Sequence, residues 1–173
     1  MIADTRQSHV PPPYLIRAAT RTDLAEIVRL AELHAEYERS PLPKLSTENR
    51  KQREFAMEEM LFTAEPVMSC LVVQVSDALE GYATFGMQYS TWQARRYLYL
   101  DCLFLTSRIR RLGIGRLMMQ HVRKEARAMG ANEVQWQTPC FNREAIEFYK
   151  RLGASPKTKH RFHWRVNDDN DSE

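Results

Sequence analysis

The chain of 173 residues has few cysteines, and the three present, Cys70, Cys102 and Cys140, are odd in number and widely spaced. They supply neither the framework of a disulfide-stabilised domain nor the paired spacing of a zinc site. Few, scattered cysteines are typical of a reducing compartment, so we expect a cytoplasmic location.

Long apolar runs and metal-ligand patterns are missing as well. No run is long enough to cross a membrane, and no signal peptide is visible at the N-terminus, so we expect no membrane partner. His34, His121, His160 and His163 have no ligand spacing with carboxylates or cysteines, and we predict no metal. The net charge of +3 favours a small anionic ligand over nucleic acid, which needs a broader basic surface.

The length predicts one folded domain with flexible ends. Residues 1–13 are polar and end in three prolines, which is typical of a flexible N-terminal arm. Residues 14–166 carry the periodic apolar pattern of the domain. Residues 167–173 are acidic and polar, and we predict that they form a disordered tail.

Within the domain, apolar periodicity and breaking residues predict the order β, α, α, β, β, β, α, β, α, β. Strands are expected at 14–19, 67–75, 81–89, 97–106, 133–138 and 160–166. Helices are expected after Thr20 to about Arg39, at 47–62, at 116–129 and from Asn142 to Gly153. The second helix would bury Phe55, Met57, Met60 and Leu61. A mixed sheet with helices on both faces accommodates this order.

One stretch, residues 97–117, organises the chain as an apolar strand, a basic glycine turn and the start of a helix. The first N–H groups of a helix lack intrahelical partners, glycine lets a ligand approach the backbone, and arginine adds charge. Arg110-x-x-Gly113-x-Gly115 therefore predicts a phosphate or diphosphate site, although a plain turn with a solvated basic face explains the same residues. The stretch lacks the Gly-Lys-Ser/Thr of a P-loop and the third glycine of a Rossmann fingerprint.

A second segment, Asn142-x-x-Ala145-Ile146-x-Phe148-Tyr149-x-Arg151-x-Gly153-Ala154, follows this turn. Together the two segments resemble the GNAT superfamily of acetyl-CoA-dependent N-acetyltransferases, and in particular the spermidine/spermine (diamine) N-acetyltransferases. The resemblance implies an α/β (α+β) GNAT fold with a mixed, mostly antiparallel sheet and helices on both faces. It also implies an acyltransferase that acetylates a primary amine of a small molecule, and a homodimer.

The resemblance implies site residues too, each at a matching position of this chain. Acetyl-CoA would be held by backbone groups of Leu103, Phe104 and Leu105, by the turn Arg110, Arg111, Leu112, Gly113, Ile114, Gly115 and Arg116, and by Asn142, Arg143, Glu144 and Ala145. The proton donor would be Tyr149. The amine would be bound by Tyr37, Glu38, Trp92, Asp101, Gln135, Trp136 and Gln137.

These residue types suit the chemistry of acetyl transfer. The acceptor amine must be neutral to attack, yet an alkylamine has a pKa near ~10.4, so a base or a water chain must remove a proton. Carboxylates would hold the amine as ammonium before that step. A tyrosine O–H can then protonate the departing sulfur of CoA.

Plainer interpretations exist for several of these residues. Tyr149 on an apolar helix is by default a core tyrosine, Asp101 can form a structural ion pair, and Glu38 can be a solvated helix end. Tyr37 and Trp92 can line an amine pocket or simply pack.

The chain also departs from the family pattern. Asp101-Cys102 keeps one acid of an acidic pair, and Arg111 replaces a glycine. Basic residues from Lys157 to Arg161 stand near the place of another acid. Such an environment suits an acceptor with its own negative group, such as an amino acid with a side-chain amine. Other hypotheses are acetylation of an antibiotic or a protein amino group, and a non-catalytic acyl-CoA sensor.

Overall fold

A computed structural model describes residues 13–39 and 46–164, in two compact units divided after Pro139. The strands of the first unit are β1 Tyr14–Ala18, β2 Ser69–Val75, β3 Ala78–Ser90, β4 Arg95–Leu105 and β5 Val134–Gln135. Its helices are α1 Leu24–Tyr37, α2 Thr47–Leu61 and α3 Ile114–Ala128, with a 3-10 turn Arg21–Asp23 before α1. In the second unit, α4 comprises Arg143–Arg151.

The sheet follows the order of the chain, β1-β2-β3-β4-β5. The first four strands are antiparallel to their neighbours, and β5 is parallel to β4. This confirms the predicted mixed, mostly antiparallel sheet and the hairpin of β2 and β3. The predicted strand at 133–138 is too long, because β5 pairs with β4 only at Leu98 and Tyr99.

A β-bulge lies in the middle of β4. Cys102 stands opposite Thr84, but the next pair along β3 joins Phe85 to Leu100, so Asp101 is the additional residue. An additional residue reverses the alternation of side chains, since directly opposed residues share a face of the sheet. Leu100 therefore shares a face with Phe85, whereas Cys102 shares the opposite face with Thr84.

Helix α1 packs on one face of the sheet, as its apolar stripe predicts. Ile27 and Leu30 are fully buried there, a burial that contributes roughly 1.5–3 kcal/mol for each such side chain. The whole cluster consists of Ile27, Leu30, Leu61, Cys70, Val72, Leu79, Tyr82 and Phe104. The opposite face is also buried, at Leu71, Val73, Ala83, Phe85, Leu98 and Leu100. Helix α3 contacts β4 and buries Met118 and Val122, so the sheet is covered on both faces.

Two predictions about apolar segments are wrong. The expected burial of Phe55 and Met60 on α2 is wrong, because both are exposed. Met57 and Leu61 are four residues apart and so share the face of α2 that packs on the core. The last predicted strand does not form over residues 160–164, where the chain has no regular structure. Its end, the break at 40–43, most of the N-terminal arm and the acidic tail lie outside the described residues.

The helix ends agree with the predicted capping residues. Asp23 accepts a hydrogen bond from the backbone N–H of Thr20 at 2.7 Å, which confirms the helix-start signature. Gly130 has a φ of +76°, and the N–H of Ala131 donates to the carbonyl of Ala126 at 2.8 Å, so Gly130 ends α3 as expected. The carboxylate of Asp23 also accepts hydrogen bonds from both terminal nitrogens of the Arg17 guanidinium, at 2.6 and 2.9 Å.

The Arg17–Asp23 pair should make the stability depend on pH. The guanidinium of Arg17 lowers the pKa of Asp23 to about 2, against the opposing effect of burial. We expect Asp23→Asn to lower the free energy of unfolding by about 2 kcal/mol at pH 7, because a pKa shift of this size between the unfolded and folded states corresponds to that much stability. The folded-state pKa lies below the unfolded-state value, so this contribution is complete above about pH 4 and disappears toward pH 2.

Urea unfolding of the wild type and of Asp23→Asn at a series of pH values measures this difference. Asp77→Asn, at an exposed position in the turn between β2 and β3, is the matched control and should unfold like the wild type. A difference between wild type and Asp23→Asn that is equally large at pH 7 and near pH 2 would contradict the assignment.

Candidate active site

The turn between β4 and α3 has the geometry of an anion site. Ile109 and Ile114 are buried and anchor the turn, while Gly113, with a φ of +83°, precedes the first turn of α3. Apart from its two chain neighbours, none of the residues that the structure describes has a heavy atom within 4 Å of the place where a Cβ on Gly113 would stand. The backbone is therefore open to a ligand at the positive end of α3. Arg111 also has a positive φ, +64°.

Glu80, which the sequence did not single out, anchors the start of this turn. Its side chain is buried and accepts hydrogen bonds from Thr106 Oγ1 and from the guanidinium of Arg108. Its backbone carbonyl accepts from the N–H of Thr106 at 2.8 Å. A buried carboxylate needs such partners, so the start of β3 holds the beginning of the turn in place.

Half of β4 has an edge that β5 does not cover. The Thr106–Glu80 hydrogen bond continues the pairing of Phe104 with Tyr82, so by alternation the backbone groups of Phe104 face β3. Those of Leu103 and Leu105 face the other side. Among the described strands, none pairs with β4 there, since β5 ends its pairing at Tyr99. The backbone groups of Leu103 and the N–H of Leu105 thus lie on an edge that no described strand covers, whereas those of Phe104 are paired with β3.

Arg110 lies over aromatic rings at the end of α1. Its guanidinium carbon is 4.1 Å from the ring centre of Tyr37 and 5.2 Å from that of Phe104. Its Nε donates to the carbonyl of Leu105 at 2.7 Å. These contacts give Arg110 a different setting from the solvated basic face that the turn pattern suggested.

A partly buried histidine, His34, lies beside the predicted residues Phe104 and Glu38. His34 stacks on Phe104, with ring centres 5.2 Å apart and planes inclined by 26°. Its Nε2 is 3.5 Å from Oε1 of Glu38, and its Nδ1 is 3.2 Å from the hydroxyl of Tyr82. Burial lowers the pKa of His34, the carboxylates of Glu38 and Asp101 oppose that effect, and the charge of Arg110 reinforces it.

A line of polar contacts extends from this histidine to Asp101. The hydroxyl of Tyr82 lies near the thiol of Cys102, whose Sγ donates to Oδ2 of Asp101 at 3.5 Å. Burial raises the pKa of Tyr82, and burial with the nearby carboxylate of Asp101 raises the pKa of Cys102 to about 11. Both groups therefore keep their protons at neutral pH.

The structure brings some of the predicted amine-binding residues together and leaves others apart. Tyr37, Glu38 and Asp101 lie around His34 and Arg110. Trp92 does not join them, because it is 97% exposed in the turn between β3 and β4. Gln135, Trp136 and Gln137 lie on β5 and directly after it. The amide of Gln135 donates to Glu133 at 2.6 Å.

The second unit carries the other predicted site residues on α4. Oδ1 of Asn142 accepts from the N–H of Ala145 at 3.2 Å, which confirms Asn142 as the cap. Arg143 and Glu144 form the exposed first turn. Tyr149 is half-buried, with its ring centre 5.1 Å from that of Phe148.

His34 and Tyr82 are the site residues that sequence reasoning missed. The sequence pattern of His34 excludes a metal ligand. Its spacing of four residues from Glu38, which places both side chains on one side of α1, is the local signal that indicates their contact. Tyr82 comes close to them only through the pairing of β3 with β4, which no local pattern reports.

Two classes of feature are not found in the part of the chain that the structure describes. No three His, Cys, Asp or Glu side chains there are grouped as metal ligands would be. None of the helices formed by those residues is long and apolar enough to cross a membrane.

Comparison with known proteins relates the chain to acetyltransferases. Residues 27–154 match the model of the Acetyltransferase (GNAT) family. The thialysine N-epsilon-acetyltransferase of Bos taurus is 30% identical over 153 residues, which cover 84% of this chain and 86% of that protein. The L-ornithine N5-acetyltransferase of Arabidopsis thaliana is 32% identical over 74 residues, 43% of this chain and 32% of that protein.

Solved structures support the same fold. An aminoglycoside acetyltransferase from an uncultured soil metagenomic sample, solved in complex with sisomicin, superposes with a TM-score of 0.71 at 15% identity. The superposition covers 88% of this chain and 96% of that one. At this identity the likeness concerns the fold alone.

The cysteines should differ in reactivity with iodoacetamide at pH 8. Cys140 is exposed, whereas burial raises the pKa of Cys70 to about 12 and that of Cys102 to about 11. Since the thiolate is the nucleophile, Cys140 should be labelled first, with the other two at least about tenfold slower. Peptide mass spectrometry over time measures the three rates. Labelling of Cys102 as fast as that of Cys140 would contradict the buried contact of Cys102 with Tyr82.

Proposed function

The chain belongs to the GNAT family of acetyltransferases, and we propose that it acetylates the side-chain amine of a basic amino acid. Membership makes it an N-acetyltransferase that uses acetyl-CoA as co-substrate, and its relatives act on primary amines of small molecules. The main support for this proposal is the acceptors of two relatives: one is named for thialysine acetylated at Nε, and the other for L-ornithine acetylated at N5. Both name a side-chain nitrogen of an amino acid.

The charges around His34 support an acceptor of this kind. The carboxylates of Glu38 and Asp101 can bind an ammonium group, and the guanidinium of Arg110 lies over the ring of Tyr37, the residue next to Glu38. A set of side chains of mixed charge favours a molecule that carries both an ammonium group and a carboxylate. A bare polyamine has no negative group for Arg110.

The strand-to-helix turn fits the diphosphate of acetyl-CoA. Gly113 leaves space beside the backbone, and Arg111 and Arg116 add charge at the positive end of α3. The edge of β4 at Leu103 and at the N–H of Leu105, which no described strand covers, suits the pantetheine arm, which can pair with backbone groups as an added strand does. The family resemblance also assigns Asn142 to Ala145, in the second unit, to acetyl-CoA.

The proposed chemistry divides the work between carboxylates and a tyrosine. Glu38 and Asp101 hold the acceptor as ammonium until a base, or a water chain leading to one, takes one N–H proton, which leaves the electron pair on nitrogen free to attack the acetyl group. Tyr149 donates its hydroxyl proton to the sulfur that leaves. No side chain needs to carry the acetyl group.

The choice of acceptor is tested with matched pairs of amines. We expect ornithine and lysine to be acetylated at least about tenfold more efficiently than putrescine and cadaverine, which differ from them by lacking the carboxylate. Release of free thiol from acetyl-CoA gives kcat/KM, and mass spectrometry of the product locates the acetyl group on the side-chain nitrogen.

The same assay separates the competing functions. A preference for the diamines would contradict the amino-acid proposal. Turnover only of aminoglycosides or of a peptide N-terminus would establish an antibiotic or a protein acceptor instead. Silence on the whole panel, with acetyl-CoA binding shown by calorimetry, would identify a sensor.

Tyr149→Phe tests the proton donor. We expect kcat to fall about 100-fold, which is the usual worth of a positioned acid, with little change in acetyl-CoA binding by calorimetry. The control is Tyr89→Phe, which removes an exposed hydroxyl on β3 and should leave kcat unchanged. Unchanged turnover in Tyr149→Phe would remove this residue from the mechanism.

Assembly and location remain predictions. A homodimer and a cytoplasmic location are expected from the sequence, and three free cysteines are consistent with a reducing compartment.

A further inference from the structure

His34 occupies a restricted position in the last turn of α1. Only 13% of its side chain is exposed, and the ring is held flat against Phe104. Stacking fixes the plane of the imidazole, so its two nitrogens point in set directions. One direction leads to Glu38 on the same helix and the other to Tyr82 on β3.

The two partners together determine which nitrogen carries the proton. A carboxylate only accepts hydrogen bonds, so Nε2 of neutral His34 carries the proton and directs it toward Glu38. Nδ1 is then the acceptor, and it faces the Tyr82 hydroxyl, which stays protonated and can donate. This order of carboxylate, imidazole and hydroxyl satisfies all three groups without a charge on the ring.

The charged and titratable groups around His34 come from several elements. They are Glu38 and Tyr37 from α1, Tyr82 from β3, Asp101 and Cys102 from β4, and Arg110 from the turn that follows. Burial and Arg110 keep the pKa of His34 below its ordinary value despite the two carboxylates, so the ring is neutral at pH 7.

We propose that His34 positions Glu38 for the acceptor amine and that protonation of His34 switches this binding off. The inference extends the proposed function, because it takes Glu38 as an amine-binding group. Neutral His34 engages Oε1 of Glu38 and leaves Oε2 for the ammonium of the acceptor. A protonated ring instead places a positive charge beside the two carboxylates, where it repels that ammonium.

Three variants test the positioning role through the KM of the amine. His34→Leu removes the contact with Glu38 and should raise this KM about tenfold at pH 7.5, the worth of one charge-assisted hydrogen bond. His34→Gln keeps an N–H donor without a titrating ring and should stay within about threefold of the wild type. His121→Gln on α3 is the matched control and should not differ from the wild type.

The pH profile distinguishes positioning from a merely structural role. Burial keeps the pKa of His34 below its ordinary value, so the KM of the wild type should rise as the pH falls below neutrality, once the ring takes up a proton. His34→Gln should lack this rise. Ionisation of the amine itself affects all proteins alike, so the ratio of KM between variant and wild type isolates His34. A ratio that is independent of pH would overturn the proposal.

A titration of the protein alone keeps the test independent of activity and of the folding of His34→Leu. The NMR signal of His34, assigned by its loss in His34→Gln, should titrate below pH 6.5 and shift lower by at least about half a pH unit in Glu38→Gln. The same pKa in both proteins would overturn the contact with Glu38 even if amines are acetylated. A panel without any amino-acid acceptor would overturn the proposed function instead.

Discussion

The β-bulge at Asp101 determines which face of the sheet the side chains of each half of β4 occupy. Before it, Leu98 and Leu100 bury their side chains on the same face as Phe85. After it, Cys102 and Phe104 turn to the face covered by α1. Without this reversal, Phe104 would not lie beneath His34 and Arg110, and the carboxylate of Asp101 would not stand at the point where the strand changes face.

The polar groups that this reversal brings under α1 are costly to bury, and their arrangement offsets the cost. His34, Tyr82 and Cys102 each have a polar partner, and the line ends at carboxylates that are half-buried or exposed. A buried polar group without a partner would destabilise the fold, whereas a connected line keeps the groups neutral and oriented. The same burial that keeps His34 uncharged thus prepares it to interact with Glu38.

Much of the fold could be predicted because local patterns report it. The apolar stripe of α1, the hairpin of β2 and β3, the capping by Asn142 and the glycine at the end of α3 all follow from spacing within one segment. The errors concern features that depend on contacts. The length of β5 depends on how many of its residues pair with β4. The exposure of Phe55 depends on which side of α2 packs on the core. The site shows the same division, since the family resemblance implied Glu38 and Asp101, whereas Glu80 and Tyr82 acquire their partners only through strand pairing and helix packing.

Beyond Tyr99, the edge of β4 is a place where another polypeptide could add a strand. Backbone groups facing outward from a strand can template pairing between molecules, which is the usual beginning of sheet-to-sheet aggregation. The hydrogen bond from Arg110 to the carbonyl of Leu105 occupies the last acceptor on that edge and sets a charged side chain beside it. Charged groups of this kind discourage a foreign strand, so Arg110 also opposes intermolecular strand pairing at this edge.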